Sequence, residues 1–428
     1  MANTTIRPAR AVAGSIRLPG DKSISHRYGM LAAIAAGTSR FRNFSTGADC
    51  ASTVHCMQQL GASASKTTDG TLEISGCNGI LSQPKQPLDC GNSGSTIRML
   101  SGILAGQPIS CELFGDASLS RRPMGRIIEP LSRMGAKIAG TDGNRPPLKI
   151  QGGNLRAIQY DSPVASAQVK SSVLFAALQA DGETVFEEPV RTRDHGELAL
   201  RAFGVELTRQ KNRVTIQGGQ RLKAIEAVVP GDISSAAFFL CAAAILRDSN
   251  LLIEGLLLNP TRAVLLDVLK ALGARINVVS LEEQHGELMG GVKIEHGELG
   301  GLKISGSHAA ALIDEIPVLA AIAPFTRDGI EVHDARELRI KESDRIATVA
   351  RNLRLMGATV EEFEDGLFVP GSQNLHGAEI DPAHDHRIAM AFAIAALRAQ
   401  GDTLIRHSEC AEISFPEFYD LLDKVAER

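Results

Sequence analysis

Five times along the chain an apolar, helix-like stretch stops at a glycine and restarts as alternating polar and apolar residues: MQQLGASAS at Gly61, LSRMGAKIAG at Gly135, LRAFGVELTR at Gly204, LKALGARINV at Gly273 and LRLMGATVEE at Gly357. Glycine after the last turn of a helix takes the left-handed conformation without a Cβ clash, and the alternation that follows has the period of a strand. Each copy therefore reads helix, stop, strand. The stops lie 74, 69, 69 and 84 residues apart. That spacing exceeds the roughly 20–50 residues of ordinary solenoid repeats and suits a unit of several strands and two helices. One such stop is ordinary punctuation in an α/β chain, whereas five at near-constant spacing constrain the whole fold. Turn residues inside TDGTLEISG, DGNRPPLKIQGG, RQKNRVTIQGG and EDGLFVPGS add a hairpin to several copies, so the unit mixes parallel and antiparallel strands. A sixth copy has no Gly-Ala stop, but the closing FYDLLDKVAER reads as its helix. Paired with a strand at Ser15–Leu18, it would bring both termini into one domain.

Composition narrows the class. The 428 residues carry 45 Lys and Arg against 49 Asp and Glu, a formal charge of −4, which speaks against a nucleic-acid partner. Aromatic residues make up only 4% and Trp is missing, so the core is built of aliphatic residues and base stacking is not expected. The seven cysteines are scattered and form no Cys-x-x-Cys pair, which argues against a disulfide framework or structural zinc. The longest apolar run, Ala236–Leu246, has eleven residues, short of the roughly 20 that span a bilayer. It reads as a buried helix. No secretory or organelle presequence is visible at the start, and the expectation is a cytoplasmic, globular, monomeric protein with no membrane partner.

Chemistry-bearing residues gather at helix starts. In LPGDKSISHRYG, Lys22 stands where free backbone N–H groups favour an anion, and Ser23 and Arg27 share a helix face; capping by solvated charges explains the same pattern. DCGNSGST sets Asn92, Gly94, Ser95 and Thr96 at a second start without the P-loop pattern. Arg121 and Arg122 precede Pro123, a residue suited to open a helix. Ser166, Ala167, Gln168 and Lys170 front an apolar helix, and Arg193 and Asp194 follow in RTRDH. Further on, Asp314 and Glu315 sit between apolar stretches, where desolvation would favour a base. Lys341 and Arg345 are four apart on one helix face with Glu342 beside them, and Asp385, His386 and Arg387 open a nearly all-apolar helix. His384 and His386 lack a third ligand at a recognisable spacing, so no metal is expected.

Taken together, DKSISHR, GNSGST, RRPM, SAQVK, RTRDH, DEIPV, RIKESDRI and DHRIAMAF, running in order between Leu18 and Pro416, resemble the motif series of the 5-enolpyruvylshikimate-3-phosphate synthase (3-phosphoshikimate 1-carboxyvinyltransferase) family. The resemblance implies a two-domain inside-out α/β barrel, each domain three βαβαββ repeats. The first domain would run from 21 to 230, and the second would comprise 1–20 and 231–428. It implies transfer of the enolpyruvyl group of phosphoenolpyruvate to shikimate 3-phosphate, with no cofactor, closure of the domains on the substrates, and sensitivity to glyphosate. Each phosphate brings about −1.5 to −2 charges, and each substrate adds a carboxylate, which explains the converging cations. By the same resemblance Lys22, Ser23, Arg27, Ser166, Ala167, Gln168, Arg193, Asp314 and Lys341 hold shikimate 3-phosphate. Lys22, Gly94, Arg122, Gln168, Arg345 and Arg387 hold phosphoenolpyruvate, with Lys341 beside that clamp. Asp314 and Glu342 move protons and Lys22 stabilises the charge shifts. One departure stands out: some members carry Lys two residues before the final Phe-Pro, where this chain has Ile413, and Lys341 or His386 would compensate. The related transferase acting on UDP-N-acetylglucosamine usually uses a loop cysteine; Cys111, before ELFGD, lies in no similar loop.

Overall fold

The computed structural model describes residues 2–428, which form two compact units. The first holds Gly20–Val229 together with Gln284–Glu287; the second holds both chain ends, up to Pro19 and from Pro230, apart from that tetrapeptide.

In the first unit six helices alternate between two kinds. Helices α1 (Lys22–Ile34), α3 (Gly94–Ala105) and α5 (Ala167–Ala177) are buried almost all round, whereas α2 (Ala48–Gln59), α4 (Gly125–Met134) and α6 (His195–Ala202) each bury one face. The buried set is rich in Ala, Ser and Gly, which lets helix backbones meet closely. A Cβ on Gly102 of α3 would stand 2.0 Å from the Ser172 carbonyl oxygen of α5, so no larger residue fits there. Outside these helices lie three sheets of one design, in which a leading strand pairs parallel with a second, and an antiparallel hairpin follows. Their orders are Glu226–Val228, Thr38–Arg42, Leu72–Ser75, Ser63–Lys66; then Leu88–Asp89, Ser110–Phe114, Arg145–Gln151, Lys137–Thr141; then Gln159–Asp161, Glu183–Glu187, Arg213–Gln217, Leu207–Gln210. With helices inside and sheets outside, this is an inside-out arrangement of three repeats.

The second unit repeats the pattern with α7 (Ile233–Ile245), α10 (Ile316–Ile322) and α12 (His386–Ala396) wholly buried. Its other helices are α8 (Val264–Leu272), the short α9 (Gly306–Ala311), α11 (Arg345–Leu355) and α13 (Phe418–Val425). The apolar run expected to be a core helix is α7, every residue of which is buried. All five repeat glycines have positive φ, between 88° and 119°, the conformation their place in the sequence demands.

The sixth copy departs from the expectation. The N-terminal strand is Ala11–Arg17, not Ser15–Leu18. It pairs parallel with Asn250–Leu257 in the fourth copy's sheet and antiparallel with Ala426–Glu427 after α13. The sheet of the sixth copy, Glu379–Ile380 beside Thr403–Ile405, is completed instead by Thr4–Ile6. The N-terminus thus serves two sheets, and pairing across some 400 residues leaves no local signal in the sequence. Among the described residues no helix is long and apolar enough to cross a membrane, and all seven cysteines are free.

Candidate active site

In the first unit the three buried helices begin with capping side chains: Asp21 accepts from Ile24 N, Ser93 from Thr96 N and Ser166 from Val169 N. Capping and the candidate site therefore coexist, and the two readings of these starts are not alternatives. Lys22 Nζ lies 2.9 Å from Asp49 Oδ2 of α2, and the lysine side chain keeps 19% of its exposure. Arg27 donates to the Ser23 carbonyl at 2.8 Å and, through Nε and Nη2, to Ser171 Oγ at 3.1 and 2.9 Å. It also reaches the Ala167 carbonyl at 3.4 Å, so it ties α1 to α5. Burial lowers its pKa to about 10, with nearby Glu197 and Asp21 acting against that fall and Arg193 adding to it. Arg193 is half-buried just ahead of α6. Its loop is pinned where Thr192 Oγ1 donates to Glu188 Oε2 at 2.5 Å.

At the start of α3, two guanidinium groups close over Gly94. A Cβ added there would meet Arg98 Nη1 at 2.8 Å and Arg122 Nη1 at 3.2 Å. Both arginines are held by neutral groups: Arg98 donates to Gln168 Oε1 at 2.7 Å, and Arg122 to Asn92 Oδ1 at 2.9 Å and Ser118 Oγ at 3.2 Å. Gln168 in turn donates to Ser95 Oγ at 2.9 Å. Amide and hydroxyl partners orient a guanidinium without cancelling its charge. At a helix N-terminus, guanidiniums oriented in this way are a setting for a phosphate or carboxylate.

The second unit is arranged differently. Asp314, just before α10, has three cations within 4 Å of Oδ1: Lys341 Nζ and Arg345 Nη1 at 3.6 Å each and Arg387 Nε at 3.9 Å. Arg387 Nη1 also donates to the Asp314 carbonyl at 3.0 Å. Arg345, with 1% of its side chain exposed, reaches Glu342 Oε2 at 2.5 Å and Asp385 Oδ2 at 2.9 Å. Ser343 Oγ adds a hydrogen bond to Asp385 at 3.0 Å. Burial alone would lower the Arg345 pKa, but Asp385, then Glu342 and Asp314, outweigh it and hold the guanidinium above its ordinary range. Its buried Nη1 makes no hydrogen bond and stands 3.6 Å from Asp314 Oδ1.

Several expectations need correction. Lys341 and Arg345 do not share a helix face: Lys341 is extended, the helix opens only at Arg345 behind the Asp344 cap, and the two meet because both reach Asp314. Asp314 keeps only 16% of its side-chain surface, and what the sequence did not show is that three cations surround it. Pro123 does not open a helix; Arg122 is extended and α4 starts at Gly125. Lys170 turns away from Gln168 into a fully buried cluster, 3.0 Å from Glu188 and 2.9 Å from Glu197. Glu315 accepts from Ser234 Oγ and lies 3.8 Å from Arg262, fastening α10 to α7. His26 is a core residue bonded to Thr53 at 2.7 Å. His386 is buried in the first turn of α12, and Ile413 ends a half-buried 3₁₀ turn. Asp49 and Arg98 escaped the sequence reading. For Arg98 the signal was present, one helical turn after Gly94 on the same face.

Comparison with known proteins gives these clusters a context. The profile described as EPSP synthase (3-phosphoshikimate 1-carboxyvinyltransferase) matches residues 6–422. The chain belongs to this family. It is 61% identical over 428 residues, the full length of both chains, to a 3-phosphoshikimate 1-carboxyvinyltransferase of Koribacter versatilis. It is also 55% identical over 424 residues, 99% of each chain, to that of Solibacter usitatus. Among solved structures it is similar to the EPSP synthase of Acinetobacter baumannii, with TM-score 0.88 and 40% identity over 99% of this chain and 98% of the other. The enolpyruvyl transferase NikO of Streptomyces tendae, at TM-score 0.81 and 18% identity over 98% and 96%, shares the fold. The thiol of Cys111 is half-buried on strand Ser110–Phe114, and burial, with Cys56 nearby, pushes its pKa up to about 12.

Proposed function

We propose that the chain transfers the enolpyruvyl group of phosphoenolpyruvate to the 5-hydroxyl of shikimate 3-phosphate, releasing phosphate, in the route to chorismate and the aromatic amino acids. The observation that carries the reading is Asp314 ringed by Lys341, Arg345 and Arg387, with Glu342 held on Arg345 at 2.5 Å, in a chain of this family. Of the first unit's residues, Lys22, Ser23, Arg27, Ser166, Ala167, Gln168 and Arg193 would hold the shikimate phosphate, with Lys341 and Asp314 of the second unit. Lys22, Gly94, Arg122, Gln168, Arg345 and Arg387 would hold phosphoenolpyruvate.

In the reaction Glu342 delivers a proton to the methylene carbon of phosphoenolpyruvate while Asp314 takes the proton of the attacking hydroxyl. The hydroxyl oxygen bonds to the now electrophilic enol carbon, giving a tetrahedral adduct that still bears phosphate. Glu342 then removes a proton from the new methyl group, the carbon–oxygen bond to phosphate breaks as the leaving phosphate takes up the proton held by Asp314, and the enol ether forms. Lys22 and the arginines stabilise the charge as it shifts. Neither metal nor organic cofactor enters this sequence. We place the enzyme in the cytoplasm as a monomer; seven unpaired cysteines support a reducing compartment. The test is phosphate release, expected only when both substrates are supplied; release from phosphoenolpyruvate alone, or none with both, would overturn the reading.

A further inference from the structure

We infer that the second unit carries a separate site for a small phosphate- or carboxylate-bearing anion, at the C-terminal ends of its buried helices. Helices α10 and α12 present Asp314 and Arg387 at their N-terminal ends. At their other ends, past Ile322 and Ala396, lies a cavity of about 450 Å³ lined by Arg247, His296, Phe325, Arg327 and Arg398, with Glu298 as its single carboxylate. Eleven residues of α12 put the two ends about 16 Å apart. The cavity shares no residue with the catalytic cluster.

Arg398 is fixed in place. Its Nη1 donates to the Ile245 carbonyl at 2.8 Å, and its guanidinium lies over the Phe325 ring, 5.1 Å from the centroid. One hydrogen bond engages one of five donors. His296 Nδ1 bonds the Ala244 carbonyl at 2.7 Å, so with Arg398 on Ile245 the last two carbonyls of α7 are already satisfied. Arg247, exposed, stands close enough to depress the pKa of Arg398 further after burial has lowered it. Arg327 is compensated by Asp328 at 2.9 Å, with Glu298 nearby. Among the described residues neither Arg247 nor Arg398 has a carboxylate partner. Two guanidiniums of like charge, one half-buried, are therefore held at one cavity with no counter-charge of their own, an unfavourable arrangement that a bound anion relieves.

Capping alone does not require this. The first unit closes the corresponding end of α3 and α5 with neutral amides. Gln107 Nε2 donates to the Gly79 carbonyl at 3.0 Å and to Gln179 Oε1, and Gln179 Nε2 donates to the Ile103 carbonyl at 2.8 Å. The second unit has two arginines and open space where the first has glutamines packed together. The volume suits a small molecule, and guanidinium forks match the oxygens of phosphate or a carboxylate.

The test is calorimetric titration of the full-length protein with inorganic phosphate and, separately, malonate, which distinguishes a phosphate-bearing from a carboxylate-bearing ligand. Wild type, Arg247→Gln, Arg398→Gln and Arg387→Gln are compared. The expected result is saturable binding of at least one probe that persists in Arg387→Gln and weakens about tenfold or more in Arg247→Gln, a loss of about 1.4 kcal/mol. Because Arg247 is exposed, its replacement keeps the fold even if Arg398→Gln does not. No saturable binding of either probe, binding unchanged in Arg247→Gln, or binding abolished by Arg387→Gln would each overturn the inference.

Discussion

Within the same architecture, the arginines at the helix starts of the two units are held by different kinds of partner. At the helix starts of the first, Arg27, Arg98 and Arg122 rest on serine, glutamine and asparagine; in the second, Arg345 rests on Asp385 and Glu342, and Asp314 gathers three cations. Neutral partners orient a charge and leave it available, which suits binding of polyanions. Carboxylate partners consume charge but fix the position of groups that can take and return protons. In the proposed reaction the first arrangement would serve mainly to bind, and the second would also carry the acid–base groups.

The largest expected effect probes the second arrangement. Glu342→Gln should lower turnover by roughly two to four powers of ten, the scale of a positioned acid or base, with an unchanged circular dichroism spectrum. Turnover near wild type in a steady-state assay would remove Glu342 from the chemistry. Asp385→Ala should destabilise the protein by about 3–5 kcal/mol in urea unfolding, because it leaves Arg345 buried without its main partner. An equivalent loss on Ser171→Ala, which removes only a neutral partner of Arg27, would erase the distinction between the units.

The same pair predicts a pH dependence. Burial pushes the Asp385 carboxyl up, but Arg345, through its charge and hydrogen bond, and His386 together outweigh it and leave the group below its ordinary value. A depressed carboxylate contributes stability that is present above the unfolded value of about 3.9 and lost as pH falls through the folded value. Wild type should accordingly lose stability more steeply below about pH 4 than Asp385→Asn; parallel curves would contradict the assignment.

Smaller effects are expected in the first unit. Gly94→Ala places a Cβ 2.8 Å from Arg98 Nη1 and 3.2 Å from Arg122 Nη1. Both are ends of flexible side chains, so the fold should survive while KM for phosphoenolpyruvate rises about tenfold and KM for shikimate 3-phosphate stays within about twofold. Equal rises in both constants would show that the two arginines do not serve one substrate. Cys111→Ser should leave turnover unchanged, since the half-buried thiol is poorly ionised; a marked fall would bring a cysteine into the chemistry.

Much of the fold was legible because its signals are local. The glycine at each helix end, the hairpin turns and the apolar α7 all act within a few residues. The helix starts that carry Lys22, Gly94, Ser166, Asp314, Arg345 and Arg387 were found for the same reason. What failed was inference across distance. The i, i+4 argument for Lys341 and Arg345 assumed a helix that begins only at Arg345. Lys170 stands beside Gln168 in the sequence, yet its side chain lies among Glu188 and Glu197. The excursion of Gln284–Glu287 into the first unit has no signature in composition or pattern.

The amino-acid order by itself determined the repeat, the positions of its stops and which helix starts carry charge, because backbone sterics and capping are decided by near neighbours. Only the tertiary structure decided which partner each charge received. Arg27 meets Ser171 across 144 residues and Arg345 meets Asp385 across 40, and whether a guanidinium faces a hydroxyl or a carboxylate depends on how separate helices pack.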